Sequence, residues 1–384
     1  MKLLILNYEY PPLGSGGGII SRYIAEGLAS KNYTVTIITT WFEGLKEEEI
    51  SGGVRIIRLK SRRKYSFQSN PQEMLSWIRV SKKFLTAFCP QEKFDFCIAN
   101  FALPGGEVAL FLKNRFDIPY AVISHGHDIP WVRPLKMYFY HGITYLRLKK
   151  ICTGSKFNFV QTPEMKKNID RFTGKKHSSK NIIIPNGCDF ALFSPPEKRQ
   201  PDKLNILFSG RLTGQKDPMT FLKALKKLSA IKIPFAVKIC GDGPLRYRME
   251  KFIAEHRLTD RVTLSGKVPY GNMPGHYRWA HMLVSPSISE GMSLTALEAL
   301  ACGCRVIATP ISGNTSLIKE NITGNFIPLK NPDALARAIE LFYKEKYCGD
   351  FSVSGSLISD LKKQYSWEPI ILSYDACLRN VAGM

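Results

Sequence analysis

The feature that most constrains this chain is a repeated rhythm. Short apolar runs, a glycine-bearing or polar loop, and then a helical stretch follow one another along most of its length. The runs Lys2–Leu6, Thr34–Thr39, Val54–Leu59, Phe94–Asn100, Tyr120–Ser124, Phe157–Gln161 and Ile182–Pro185 are apolar with little alternation. That pattern belongs to strands buried on both faces, which is the condition of a parallel sheet covered by its crossover helices. A polar, proline-rich stretch, Ser194–Asp202, interrupts the rhythm, and Asn205–Ser209, Val237–Gly241, Val262–Leu264, Leu283–Pro286 and Arg305–Thr309 resume it, with Asn325–Pro328 as an edge and then a helix that Asp333 caps and that runs to about Tyr343. An α/β fold of two doubly wound parallel sheets is therefore expected. A chain of 384 residues also exceeds what one core organises. The expected division is 1–195, 203–365, and a closing amphipathic helix within 366–384 that crosses back to the first domain.

Nine cysteines without a C-x-x-C pair argue against zinc and against a disulfide framework. The apolar start, Met1–Leu6, is too short for the core of a secretory leader. No run reaches the roughly 18–20 apolar residues of a spanning helix. A cytoplasmic protein that is not integral to a membrane is expected. The net charge of +22 is the outlier of the composition and implies an anionic partner: nucleic acid, a membrane or phosphates.

In parallel α/β folds, ligands bind where loops leave the carboxyl ends of strands. Five such loops carry chemistry. Tyr8–Gly18 ends in Gly16-Gly17-Gly18, whose spacing fails the dinucleotide G-x-G-x-x-G pattern because Ile19 stands where the third glycine belongs. The glycines serve either a tight turn or close approach of backbone amides to an anion. His125-Gly126-His127-Asp128 follows the fifth run, and its histidines are either structural or ligand-facing. Asn186-Gly187-Cys188-Asp189 follows the seventh. In the second half, Gly210–Pro218 places Arg211 and Lys216 above the sheet, with Asp217 and Pro218 suited to cap and begin a helix. Arg by its planar fork and Lys as a point charge can bracket a diphosphate.

The fifth loop, from Ser289 to Gly303, leads from a buried strand into a segment rich in Ala and Leu. A helix beginning near Ser293 leaves Glu290 in the loop and Glu298 one to two turns in. Its first turn offers free amides and a positive dipole end for a phosphate. Alone, the two glutamates read more readily as solvated side chains.

Taken in order, Tyr10-Pro11-Pro12 with Gly16–Gly18, His125-Gly126, Pro185–Asp189, Gly210-Arg211-Leu212 with Lys216, Gly241–Pro244 and Glu290 with Glu298 carry a resemblance. The chain resembles a retaining nucleotide-sugar glycosyltransferase of family 4. The resemblance implies the GT-B fold, two Rossmann-like doubly wound parallel-sheet domains facing an interdomain cleft. It further implies that Arg211 and Lys216 hold the donor diphosphate, with the backbone of Gly291, Met292, Ser293 and Leu294 near the phosphates. Glu298 would bind the ribose hydroxyls and Glu290 the transferred sugar. His125 would lie beside that sugar, and Gly17 would bring backbone close to the diphosphate. No metal and no cofactor are implied, only a UDP- or GDP-sugar donor. The expected reaction moves a hexosyl group to a saccharide or lipid-linked saccharide in cell-surface polysaccharide or glycolipid synthesis. A non-catalytic nucleotide-sugar-binding protein, and an epimerase or hydrolase on the same fold, are the alternatives. Met292 to Thr295 and Cys188 depart from the commoner family pattern and leave the donor open.

Basic residues cluster in the first half. Residues 55–84 hold Arg55, Arg58, Lys60, Arg62, Arg63, Lys64, Arg79, Lys82 and Lys83 against Glu73 alone, with Tyr65, Phe67 and Trp77 interleaved. Residues 133–150 hold Arg133, Lys136, Arg147, Lys149 and Lys150 with no acid, amid Tyr138, Phe139, Tyr140 and Tyr145, just after Trp131. No nucleic-acid motif accompanies them, so the expectation is a protein peripheral at the inner face of the cytoplasmic membrane; the bland alternative is a solvated basic face.

Overall fold

The computed structural model describes residues 1–66, 69–126, 128, 130, 136–199, 203–231, 233–346 and 353–382, without the side chains of 136–141, 345–346 and 382. It divides into two compact units, Met1–Gly187 with Trp367–Met384, and Cys188–Ser366.

The first unit holds strands β1 (Lys2–Leu6), β2 (Thr34–Thr40), β3 (Glu48–Ser51), β4 (Val54–Leu59), β5 (Phe96–Asn100), β6 (Tyr120–Ile123), β7 (Phe157–Val160) and β8 (Asn181–Ile183). Their order is β3-β4-β2-β1-β5-β6-β7-β8. Every pairing is parallel except β3 with β4. The helices are α1 (Gly16–Ala29), α2 (Pro71–Glu92), α3 (Gly106–Phe116), α4 (Lys136–Gly154) and α5 (Pro163–Thr173). Among the described residues no helix is long and apolar enough to cross a membrane.

The second unit holds β9 (Leu204–Ser209), α6 (Pro218–Ala230), β10 (Phe235–Cys240), α7 (Arg246–Glu255), β11 (Val262–Gly266), α8 (Met273–Trp279), β12 (Met282–Ser285), α9 (Leu294–Ala301), β13 (Arg305–Ala308), α10 (Ser312–Thr315), β14 (Gly324–Phe326), α11 (Pro332–Lys346) and α12 (Gly355–Tyr365). Its sheet, β11-β10-β9-β12-β13-β14, is parallel throughout. Both cores are aliphatic and aromatic side chains packed between sheet and helices, the burial that stabilises such layers.

Four details differ from the sequence reading. The glycines Gly16 to Gly18 lie in the first turn of α1 and not in the loop before it. Strand β3 is exposed and acidic, so apolar pattern does not reveal it. Helix α11 begins before Asp333, and Asn331 Oδ1, not Asp333, accepts the Ala334 amide at 2.9 Å. The change of unit comes at Gly187/Cys188, ahead of the expected 195. The reason is pairing: the Cys188 amide donates to the Tyr365 carbonyl at 2.8 Å, and Phe193 is buried in the core of the second unit. Gln200 to Asp202 of the expected linker lie outside the described residues.

A final helix, α13 (Trp367–Ala382), belongs to the first unit and packs on α1. Trp367 stacks on Tyr23 with ring centroids 4.8 Å apart. Asp375 accepts from Tyr33 at 2.6 Å. Gly27 lets the helices close, because a Cβ there would stand 2.5 Å from Ile371 Cγ1. Replacing an interior helical glycine by alanine ordinarily stabilises by about 1 kcal/mol. Here Gly27→Ala is expected to destabilise the fold by about 1–2 kcal/mol through overpacking, read as a lower midpoint in chemical denaturation. An unchanged or higher midpoint would contradict the packing of α13 on α1.

Candidate active site

In the second sheet the chain passes outward from β9 to β10 and β11, then returns to lay β12 on the other side of β9. The strand order reverses between β9 and β12. Right-handed crossovers then send the following helices to opposite faces, and the two loops part to leave a crevice. These are the loops carrying Arg211 with Lys216 and Glu290 with the start of α9.

The two loops are fastened together. The Ile288 amide donates to the Gln215 carbonyl at 2.8 Å, and the Gln215 side-chain amide donates to the Ser289 carbonyl at 2.9 Å. Lys216 Nζ lies 2.8 Å from Glu290 Oε1, with both side chains largely removed from solvent. Arg211 stands on the same loop, half-buried, and among the described residues its guanidinium makes no ion pair or hydrogen bond. The loop closes on Asp217, which caps α6 through the Thr220 amide at 3.3 Å and the Thr220 hydroxyl at 2.7 Å.

Ser293 caps α9, its hydroxyl accepting the Ala296 amide at 3.3 Å. The amides of Leu294 and Thr295 belong to the turn that an α-helix leaves without acceptors of its own. Gly291 and Met292 approach this turn as buried backbone. Gly313, in the short helix α10 after β13, packs so closely against Gly291 that a Cβ would meet its carbonyl oxygen at 2.4 Å.

Glu298 has a different environment. It is 4% exposed, and the Tyr277 hydroxyl donates to its Oε2 at 2.8 Å. Burial pushes its carboxyl up to about 7, against the hydrogen bonds from Tyr277 and Tyr270, which favour the charged form. The structure thus joins Glu290 to Lys216, keeps Arg211 on the Lys216 loop, and holds Glu298 on tyrosines from α8 and the turn before it. The tyrosines are absent from the sequence reading; Tyr277 lies 21 residues from Glu298, beyond any local spacing rule.

In the first sheet the order reverses between β1 and β5. Gly17 sits in the first turn of α1, where a Cβ would stand 2.9 Å from the Phe101 ring and 3.9 Å from the His125 ring. Phe101 holds φ at +64°, a left-handed conformation that a bulky residue rarely takes. Its ring packs on His125 with centroids 4.6 Å apart. His125 Nε2 lies 3.1 Å from Asn100 Oδ1, so in the neutral ring Nε2 carries the proton and donates. Burial pulls this imidazole down to about 4, so it is uncharged at neutral pH. Asp128 fixes the loop by accepting from the His125 amide at 2.9 Å and the Ala102 amide at 2.8 Å. His127 lies outside the described residues. Gly17 and His125 therefore meet, joined by Phe101 and Asn100, which carried no motif. Among the described residues no three His, Cys, Asp or Glu side chains converge as metal ligands.

The basic window 55–84 is less charged than its sequence suggests. Arg55 pairs with Glu48 at 2.6 Å and Glu92 at 2.8 Å, Arg58 with Glu49 at 2.6 Å, Arg63 with Glu9 at 3.4 Å and Lys82 with Glu107 at 2.6 Å; Lys60 pairs with Glu47. Every one of these acids lies outside the window. Glu73, inside it, caps α2. In the second cluster Arg147 donates to Glu107 at 2.7 Å, while Lys149 and Lys150 are exposed. Phe67, Trp131 and Arg133 lie outside the described residues, as do the side chains of Lys136, Tyr138, Phe139 and Tyr140.

Two family descriptions match adjoining parts of the chain: Glycosyltransferase Family 4 over residues 14–192 and Glycosyl transferases group 1 over residues 189–352. An uncharacterized glycosyltransferase of Methanocaldococcus jannaschii is 26% identical over 377 residues, covering 97% of this chain and 96% of that protein. A D-inositol 3-phosphate glycosyltransferase of Paenarthrobacter aurescens is 31% identical over 175 residues, 42% of this chain and 43% of that one. A putative teichuronic acid biosynthesis glycosyltransferase of Bacillus subtilis is 25% identical, covering 78% of this chain and 74% of that one. Among solved structures, sucrose-phosphate synthase from Thermosynechococcus elongatus superposes with a TM-score of 0.87 at 21% identity, covering 100% of this chain and 99% of that one. Anabaena HepE, in complex with UDP and glucose, superposes with a TM-score of 0.79 at 14% identity over 99% of this chain and all of that one. These likenesses establish two GT-B-like parallel-sheet domains.

The state of Glu298 has a measurable consequence. Its folded carboxyl titrates above its unfolded one, so its contribution to stability is fully present below about 4.5 and is lost as pH rises through about 7. Glu298→Gln is expected to gain stability relative to the parent across that window, by roughly 3 kcal/mol at most. Thermal denaturation of both proteins from acid to neutral pH checks this, and parallel curves would show that Glu298 is not buried as described.

Proposed function

The chain is a family 4 glycosyltransferase of group 1, and on that premise we propose that it transfers a hexosyl group, with retention, from a UDP- or GDP-sugar to a saccharide or lipid-linked saccharide. The observation that carries this reading is the reversal between β9 and β12, where Arg211, Lys216 and the first turn of α9 stand on two fastened loops. Breaking the anomeric C–O bond leaves a nucleoside diphosphate. Catalysis then depends on cations and amides placed where that charge develops, more than on a strong base.

In this reading Arg211 offers its fork to the diphosphate, and Lys216 stands as a point charge between the phosphates and Glu290. The amides of Gly291, Met292, Ser293 and Leu294 face the same group. Glu298, held by Tyr277, receives the ribose hydroxyls. Glu290, already anionic beside Lys216, accepts from hydroxyls of the transferred sugar and offsets positive charge on its ring. The acceptor hydroxyl bonds to the anomeric carbon on the face the phosphate leaves, and its proton passes to the leaving phosphate oxygen. His125 is neutral, so it hydrogen-bonds the sugar and carries no charge into the site, while Gly17 admits backbone to the donor. The acceptor falls to the first unit. Relatives named for inositol phosphate and teichuronic acid chemistry support a product in glycolipid or cell-surface polysaccharide synthesis, and the excess of cations supports work at the inner face of the cytoplasmic membrane.

UDP- and GDP-sugars are expected to raise the melting temperature, since a ligand of the native state alone must stabilise it. Glu298→Ala should weaken that stabilisation at least tenfold in donor concentration, the order of one lost charged hydrogen bond. Arg211→Ala and Lys216→Ala should bind donor but lower kcat about 100- to 1000-fold, the usual loss of one charge-stabilising donor. Acceptor-dependent release of nucleoside diphosphate reads the rates. Parental turnover in all three variants would remove the proposed site.

A further inference from the structure

Helix α4 contains no Asp or Glu from Lys136 to Gly154. Its inward side buries Leu148, Ile151 and Cys152. On the opposite side Ile143 is 72% exposed and Leu146 80% exposed, next to the exposed Lys149 and Lys150. Positions 143, 146, 149 and 150 fall together at the helical period, so two large apolar side chains and two cations share an arc of roughly 120°. Arg147, beside this arc, is held by Glu107, which Lys82 of α2 also holds. Burial works to raise the Glu107 carboxyl, but its hydrogen bonds with Arg147 and Lys82 outweigh burial and keep it below the usual range. The helix is thereby fixed at its waist while its outer stripe stays bare. Single exposed aliphatics are ordinary. A pair one turn apart, on a helix whose own charged residues are all cations, has the composition of an interfacial helix.

We propose that the outer stripe of α4, Ile143, Leu146, Lys149 and Lys150, docks on an anionic phospholipid surface, the aliphatic side chains entering the acyl boundary and the lysines meeting the headgroup charge. Charge complementarity selects this occupant: α4 carries no acid to repel phosphate, the Glu107 carboxylate beside it is held by Arg147 and Lys82, and the chain has 22 more cations than anions. None of these four residues is among those assigned to sugar transfer. It deepens the membrane-facing part of the proposed function and rests on that part alone.

Cosedimentation of the full chain with vesicles of phosphatidylcholine, and of phosphatidylcholine with phosphatidylglycerol, tests it. Binding is expected only to the anionic vesicles, and to fall at high salt. Lys149→Gln with Lys150→Gln should weaken it by roughly 25-fold, about fivefold per cation. Ile143→Ser with Leu146→Ser should weaken it by about tenfold or more even at low salt. Because the four side chains are exposed, melting temperatures and donor-induced stabilisation without vesicles should match the parent, which separates loss of docking from misfolding and from failure of the transferase reading. No binding to anionic vesicles at low salt, or parental binding by both double variants, would overturn the proposal. So would a parent that is dimeric by light scattering and becomes monomeric in Ile143→Ser with Leu146→Ser, because the stripe would then meet a second copy.

Discussion

The arrangement depends on one constraint, the reversal of strand order inside an all-parallel sheet. Parallel strands cannot be joined by tight hairpins, so each strand hands over to a helix and each loop leaves from the same edge. Where the order reverses, two successive loops diverge and their backbone groups lose the neighbours they have elsewhere along the edge. In the second unit the gap is closed by Ile288 with Gln215, Gln215 with Ser289, and Lys216 with Glu290. The ion pair is shielded enough that removing one partner leaves the other charge poorly compensated, which costs more than the pair itself contributes. The group that shapes the loop is thus also the group to which the proposed reading gives the diphosphate.

Most of the fold was legible because parallel core strands announce themselves. Strands apolar on both faces need no partner information to be found, and their turns are marked by glycine and proline. What was not legible shares one cause. Strand β3 exists because β4 offers it an edge, not because Glu48 to Ser51 favour extension. The unit boundary at Cys188 is set by hydrogen bonding to Tyr365, far along the chain. The proline-rich stretch after it resembles a linker in composition, yet Arg199 within it donates to the Gly303 carbonyl at 3.2 Å.

The same division runs through the candidate site. Loop residues at strand ends were legible from position alone: Arg211, Lys216, Glu290 and His125 all lie where the alternation puts them. Their environments were not. Nothing near Glu298 in sequence indicates that Tyr277 holds its carboxylate, and nothing near His125 indicates that Asn100 fixes its proton. Counting charges in a window misled for a related reason. A sheet brings acids from other strands beside each cation, so five of the nine basic residues between 55 and 84 are paired with glutamates the window does not contain.

Glu290 and Glu298 illustrate how position assigns chemistry to like residues. One precedes the helix cap and meets a lysine, which favours its charge. The other lies on the buried side of the helix, where desolvation opposes charge and only tyrosine hydroxyls support it. In the proposed reaction this difference matters for the order of binding. A diphosphate entering beside Lys216 adds negative charge next to Glu290, a repulsion that Lys216 alone offsets incompletely. Arg211, whose guanidinium makes no ion pair among the described residues, supplies the second positive charge. The leaving phosphate then meets two cations and a helix start already in place, the preorganisation that lowers the cost of developing charge. A site built this way needs Glu290 held in place, and Lys216, 2.8 Å from its carboxylate, does so.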